Sequence, residues 1–168
     1  MNKVVLDTNV VFDLLHFDDT TARPLLQALE AGRLRSVVTD ATLDEWRRVL
    51  AYPEFALDPV QQAALFERYR SLSEPVPVVA GAGLPHKGTP IHYGLKPVWS
   101  HMPRCSDPDD QKFIELAAAA GAQALVSKDR AVLKLRRLCA PVFRIMTPAE
   151  ALHWLDTLDL SQQPAAGT

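Results

Sequence analysis

Lys3-Val4-Val5-Leu6-Asp7-Thr8-Asn9 is the stretch from which the rest of the chain is read. An unbroken run of Val and Leu suits a strand buried in a sheet. The run ends on a carboxylate, Asp7, and apolar residues resume at once with Val10, Val11, Phe12, Leu14 and Leu15. In a parallel α/β sheet, ligands bind beyond the carboxyl ends of the strands. A carboxylate there is either a cap for the next helix or a catalytic group. Which it is depends on whether other acids reach the same edge.

Outward from that strand, Thr20 or Thr21 can cap a helix through Leu25, Leu26 and Leu29, stopped at Gly32. A short strand is predicted around Ser36-Val37-Val38. Thr39 or Asp40 caps a helix with Leu43, Trp46, Val49 and Leu50 on one face, ended by Pro53. Asp58-Pro59 opens another, with Asp at the cap and Pro at the first turn, running to about Leu72. Pro75-Val76-Pro77-Val78-Val79 reads as an edge strand. Residues 80–106 show no periodicity and repeated Gly and Pro, which predicts a long loop. Asp107-Pro108 opens a helix to Gly121, and Gln123 to Ser127 reads as a strand. A helix is predicted from about Arg130 to Leu138, and a strand from Pro141 to Ile145. Thr147-Pro148-Ala149-Glu150 is a capping box that starts a last helix, up to about Leu158. Alternating strands and helices predict a three-layer α/β/α domain over residues 1–158, with a mainly parallel sheet of about five strands. Residues 159–168 read as a disordered tail.

The 168 residues are enough for one domain with its own core. A net charge of −2 gives no global basic signature, so any contact with nucleic acid must be a local patch. The two cysteines, Cys105 and Cys139, have no paired spacing, which argues against a disulfide framework and suits a reducing compartment. No apolar run is long enough to span a membrane, and no signal-peptide pattern opens the chain. A cytoplasmic protein without a membrane partner is expected.

Several acids stand at odds with their surroundings. Asp110 precedes Phe113, Ile114 and Ala117 at helical spacing and so shares their apolar stripe, whereas Asp109 points away. The plainer reading has Asp107 as cap and both following aspartates complementing the helix dipole. Glu45 borders the Leu43/Trp46 stripe, and its plainer reading is a salt bridge to Arg47 or Arg48. Asp129 follows a strand, as Asp7 does, and its plainer reading is an N-cap. Together, a parallel sheet can gather Asp7, Glu45, Asp110 and Asp129 on one edge. Carboxylates clustered that way repel one another and lose hydration. A hard divalent cation removes the conflict, can activate a water for attack on a phosphodiester and can stabilise the leaving oxygen.

These pieces, in order, resemble the PIN domain, a metal-dependent ribonuclease fold used by many bacterial toxins of toxin–antitoxin pairs. The matching segments are Val4 to Asn9, then Thr39 to Glu45. Asp107-Pro108-Asp109-Asp110-Gln111-Lys112-Phe113-Ile114-Glu115-Leu116-Ala117 follows, and then Leu125-Val126-Ser127-Lys128-Asp129. The resemblance implies that Asp7, Glu45, Asp110 and Asp129 bind Mg2+ or Mn2+, with Asn9 and Ser127 as polar supports. It implies an endoribonuclease acting on single-stranded or structured RNA, with an antitoxin protein as a candidate partner; a second copy of the chain is a candidate only because dimers are the commonest default. Two departures stand out. Lys128 occupies a position where a smaller residue is expected, and its ammonium could partly neutralise the cluster. The loop over 80–106 is longer than in compact members.

Two rival functions are a PIN-fold RNA- or partner-binding module with little catalysis, and another metal-dependent phosphohydrolase. An Asp-x-Asp nucleophile motif would favour the latter, and Asp7-Thr8-Asn9 lacks the second aspartate. Between Glu74 and Asp107 there is no acid, while Lys87, Lys96, Arg104, Tyr93, Trp99 and three histidines fall in that segment. Cations interleaved with aromatic faces suit single-stranded RNA, so this loop is a candidate flap. A connector whose aromatics pack on the domain or at an interface is the bland alternative. Lys128, Arg130 and the Arg136-Arg137 helix are further candidates for RNA contact. His86, His92 and His101 with Cys105 match no standard zinc spacing. Cys139 reads as a packed thiol.

Overall fold

Successive residues of the opening strand face opposite layers, and those layers define the molecule. The computed structural model describes residues 2–76, 91–93, 96–99 and 101–162. The chain begins with β1 (Asn2–Leu6), α1 (Thr8–Leu15), α2 (Arg23–Glu30), β2 (Leu34–Val38), α3 (Asp40–Leu50), α4 (Pro59–Ser71) and β3 (Ser73–Pro75). A hairpin of β4 (Ile91–Tyr93) and β5 (Lys96–Trp99) follows, then α5 (Gln111–Ala119) and β6 (Ala124–Val126). The single-turn helices α6 (Arg130–Leu133) and α7 (Arg136–Cys139), β7 (Arg144–Met146) and α8 (Pro148–Gln162) complete it.

β1 lies at the centre of a five-stranded, all-parallel sheet in the order β3-β2-β1-β6-β7. Val5, Val37, Leu125 and Ile145 face one layer, where Phe113, Ile114, Phe143 and Cys139 from the α5–α7 side cover them. Val4, Leu6, Val38, Val126 and Met146 face the other, against Leu14, Leu25, Trp46 and Trp154. Each such side chain taken fully out of water contributes about 1.5–3 kcal/mol before entropy, so both faces of β1 are strongly specified. From β1 the chain steps outward to β2 and β3 on one side and later to β6 and β7 on the other. The carboxyl ends of β1 and β6 thus flank a topological switch point, where α/β sheets open a crevice. No described helix is long and apolar enough to cross a membrane.

Several boundaries differ from the sequence expectation. The edge strand is Ser73–Pro75, not Pro75 to Val79, and only Val76 continues toward Val38, donating to its carbonyl at 2.8 Å. Ser73 to Pro75 place the ladder there by pairing with Ser36 to Val38, and residues 77–79 lie outside the described ones. Within the span read as an unstructured loop, β4 and β5 pair antiparallel; residues 80–90, 94–95 and 100 lie outside the described ones. No side chain caps α2: Ala22 holds the cap position, and Asp19 accepts from the Thr21 amide instead. Gly32, at φ +72°, ends that segment in a left-handed conformation that glycine tolerates best. The helix predicted over 130–138 is two single turns, a break that lets Val132, Leu135 and Cys139 all be buried. The last strand begins at Arg144, because the amides of Val142 and Phe143 bond to the Cys139 carbonyl in a turn. α8 runs to Gln162, past the predicted end at Leu158, and residues 163–168 lie outside the described ones.

Candidate acidic site

Asp7 holds the N-cap position of α1, yet its side chain makes no capping bond. Instead Ser127 Oγ, just beyond β6, donates to Asp7 Oδ2 at 2.6 Å and accepts from the Asp129 amide at 3.0 Å. Asp7 is buried, and that burial pushes its carboxyl above the usual range. The Ser127 hydrogen bond opposes the rise, and the charges of Glu45 and Asp129 add to it.

Asp107 and Asp110 approach from the adjacent element. Pro108–Asp110 forms a turn of 3-10 helix before α5, and the Asp107 side chain accepts from the Asp109 amide. This turn leaves Asp109 exposed and Asp110 buried. Asp110 occupies the N-cap position of α5 without a capping bond, and its buried Oδ2 has no hydrogen-bond partner. Its carboxyl is pushed up to about 8, by burial first and then by the charges of Asp7 and Asp129. One carboxylate oxygen each from Asp107, Asp110 and Asp129 lie within 4.8 Å of one another. Asp129 is also a true cap, accepting from the Ala131 amide at 2.7 Å, so the two readings of that residue coexist.

Glu45 reaches the same cleft from α3, but it is not bridged to Arg47 or Arg48. Thr8 Oγ1 donates to its Oε2 at 2.6 Å, and Lys112 Nζ donates to its Oε1 at 3.0 Å. Arg47 pairs instead with Asp44 on the solvent side. The cleft, of about 370 Å3, is lined by Asp7, Asn9, Glu45, Asp110 and Asp129 together with Phe12, Phe17 and Phe55. Asn9 Oδ1 is buried there with no hydrogen-bond partner.

Lys128 lines the same cleft as the acidic cluster. Its ammonium lies 2.6 Å from Oδ2 of the buried Asp13 on α1, which lines the cleft as well. Lys112 pairs with another cleft carboxylate, Glu45. Arg130 is exposed and borders a separate shallow pocket with Lys134 and Arg136, and Arg136 is paired with Glu150. Arg104 is exposed, Lys87 lies outside the described residues, and Lys96 is described only as part of the β5 backbone. The candidate flap therefore lies largely outside the described residues, as do His86 and the side chain of His92. Among the described residues, Asp107, Asp110 and Asp129 form the group spaced to hold an ion. Cys139 is fully buried, and burial pushes its thiol up to about 12.

Sequence reasoning missed Asp107 as more than a cap, and it missed Thr8, Lys112 and Asp13. Asp13 carried a usable signal, an acid inside Val10-Val11-Phe12-Asp13-Leu14-Leu15. Lys112 carried none, since its partner is 67 positions away.

The PIN domain family model matches residues 3–131, a span that includes every carboxylate of the cleft. No curated protein matches the chain in sequence. Among solved structures, the chain resembles one in the crystal structure of VapBC2 from Rickettsia felis bound to a DNA fragment from their promoter. The TM-score is 0.58 and the identity 14%, over 86% of this chain and 98% of that one.

Proposed function

Since this chain belongs to the PIN domain family, we propose that it is a metal-dependent endoribonuclease and the toxin of a toxin–antitoxin pair. One observation carries the reading. Asp110 carries a buried carboxylate oxygen with no hydrogen-bond partner, and a carboxylate oxygen of the same residue lies within 4.8 Å of one from Asp107 and one from Asp129. A buried, unpaired carboxylate among like charges is costly unless it binds a proton or a cation. The donors are all carboxylate oxygens, which suit Mg2+ or Mn2+.

Asp110, Asp129 and Asp107 would hold such an ion, with Asp7 and Glu45 completing and tuning the site. Bound there, it would supply a Lewis acid for the scissile phosphate and lower the pKa of a water. Asp7 has one oxygen fixed by Ser127 and a raised proton affinity, so its carboxylate is suited to take the proton from an attacking water. Ser127 positions both Asp7 and the Asp129 backbone, and Thr8 and Lys112 fix Glu45. The likeness to the VapBC2 chain supports an antitoxin as the protein partner.

Incubating total RNA with the protein, with and without Mg2+ or Mn2+, tests the proposal. Cleavage should require the ion and vanish in Asp7→Asn. Ion-independent cleavage, or an active Asp7→Asn, would exclude it.

A further inference from the structure

The cleft that holds the carboxylates also holds a cluster of aromatic rings. Phe12 and Phe55 stack with centroids 4.3 Å apart and 25° between their planes. Phe17 lies 5.9 Å from Phe12 and 6.2 Å from Phe55, and Tyr52 extends the stack nearly parallel to Phe55. Phe12 is buried and forms the floor. Phe17 is 56% exposed and Tyr52 45% exposed, so the cluster presents rings to solvent instead of closing over them.

Two of these rings are each followed by a residue in the left-handed region. Asp18 and Ala56 directly follow Phe17 and Phe55, and they sit at φ 47° and 50°. They are the non-glycine residues with positive φ among those described. Alanine has no side chain to stabilise a left-handed conformation. Strain of this kind persists where the surroundings fix it, and it collects at ligand-contacting sites. Here both instances fall next to a ring that lines the cleft.

We propose that the exposed Phe17 ring, backed by Phe12 and flanked edge-on by Phe55, forms a stacking platform for an unpaired RNA base beside the scissile phosphate. The proposal rests on the nuclease reading above and names the substrate form that reading requires. A nucleotide carries a flat π face and an anionic phosphodiester on one ribose. This cleft offers rings for the first and a cation-binding group of carboxylates for the second, within about 370 Å3. Phenyl rings have no hydrogen-bonding group, so they accept any base and read strandedness instead of sequence. A base inside a duplex has both faces covered and cannot reach them. Phe17 is thus a positioning residue for single-stranded or looped RNA.

The test uses the full chain and single-stranded oligoribonucleotides carrying 2-aminopurine at successive positions, with Ca2+ as the divalent ion. Binding to the parent should quench the probe at one position. Phe17→Ala should lose that quench and weaken single-strand binding by about tenfold, the size of one lost base–aromatic stack. Phe17→Tyr should keep both, which controls for folding. With Mg2+ and saturating RNA, kcat of Phe17→Ala should match the parent while KM rises. Equal affinity and equal quenching in parent and Phe17→Ala would overturn the platform and leave the rings to a protein partner. Cleavage by the parent in the same preparation shows that the nuclease reading stands regardless. A parent that neither binds nor cleaves RNA would remove that reading and the platform with it.

Discussion

Ser127 Oγ donates to Asp7 Oδ2 across 2.6 Å and so ties the carboxyl end of β6 to that of β1. Both residues are buried, so no water replaces the bond freely. Ser127→Ala should leave one carboxylate oxygen unsatisfied and cost about 1–3 kcal/mol. The bond favours ionised Asp7, so the cost should be larger at alkaline than at acid pH. Denaturant titrations of Ser127→Ala, Asp7→Asn and the double variant isolate the coupling. Additive losses would show that the bond contributes nothing.

Asp109 and Asp110 are neighbours with opposite surroundings, one exposed and the other buried beside Asp7 and Asp129. Asp110→Asn should abolish cleavage yet, at neutral pH, leave the metal-free protein as stable as the parent or more so, because an acid that must take up a proton to be buried is gone. Added Mg2+ should raise Tm of the parent and not of Asp110→Asn, by mass action. Asp109→Ala should behave like the parent in both respects. Equal Mg2+-induced shifts in parent and Asp110→Asn would exclude Asp110 as a ligand.

The layer order and the parallel sheet were legible in the sequence because they depend on local patterns. Val4-Val5-Leu6 fills both faces of a central strand, Thr39 and Asp58 cap their helices, and Gly32 ends a helical segment. The β4–β5 hairpin was not legible, since Gly and Pro in its segment mask any period of two. At the site, strand ends announced Asp7 and Asp129. Ser127 entered as a polar support only through the family resemblance, and the bonds themselves could not be read, because partners are chosen by folding and not by spacing. Ser127 lies 120 positions from Asp7, and Thr8 lies 37 from Glu45. Whether a carboxylate caps is likewise decided in three dimensions: Asp129 does, while Asp7 and Asp110 in equivalent positions do not.

The raised carboxyl of Asp110 makes the metal-free protein sensitive to pH in a defined direction. Its affinity for a proton moves from an ordinary 3.8 to about 8 on folding. Between those values the folded state binds the extra proton, so stability falls as pH rises. The contribution is complete below about pH 4 and lost as pH passes about 8. In EDTA, Tm of the parent relative to Asp110→Asn should therefore decline steadily from acid to mildly alkaline pH. Metal competes with that proton, so Mg2+ should bind more tightly as pH rises and release protons when it does. Calorimetry in buffers of different ionisation enthalpy would detect the release. A Tm difference independent of pH would mean that Asp110 is ionised throughout.

Lys112 pairs with Glu45, one of the carboxylates that line the acidic cleft. Its ammonium bonds to Glu45 Oε1 at 3.0 Å and to the Asp109 carbonyl at 2.6 Å, joining α3 to the turn that carries Asp110. The pair is 22% and 14% exposed, between the surface pairs that contribute little and the buried pairs whose breakage is severe. Lys112→Met keeps the aliphatic stem and removes the charge, leaving Glu45 held by Thr8 alone near Asp7. Without metal, this variant should lose roughly 1–3 kcal/mol of stability. With Mg2+ the order should reverse in part, because a site one charge more negative attracts a divalent cation more strongly. The Mg2+-induced rise in Tm should thus be larger in Lys112→Met than in the parent, and smaller in Lys112→Met combined with Glu45→Gln. An unchanged Tm in Lys112→Met, with or without Mg2+, would show that solvent screens Glu45 and that Lys112 has no part in balancing the cleft.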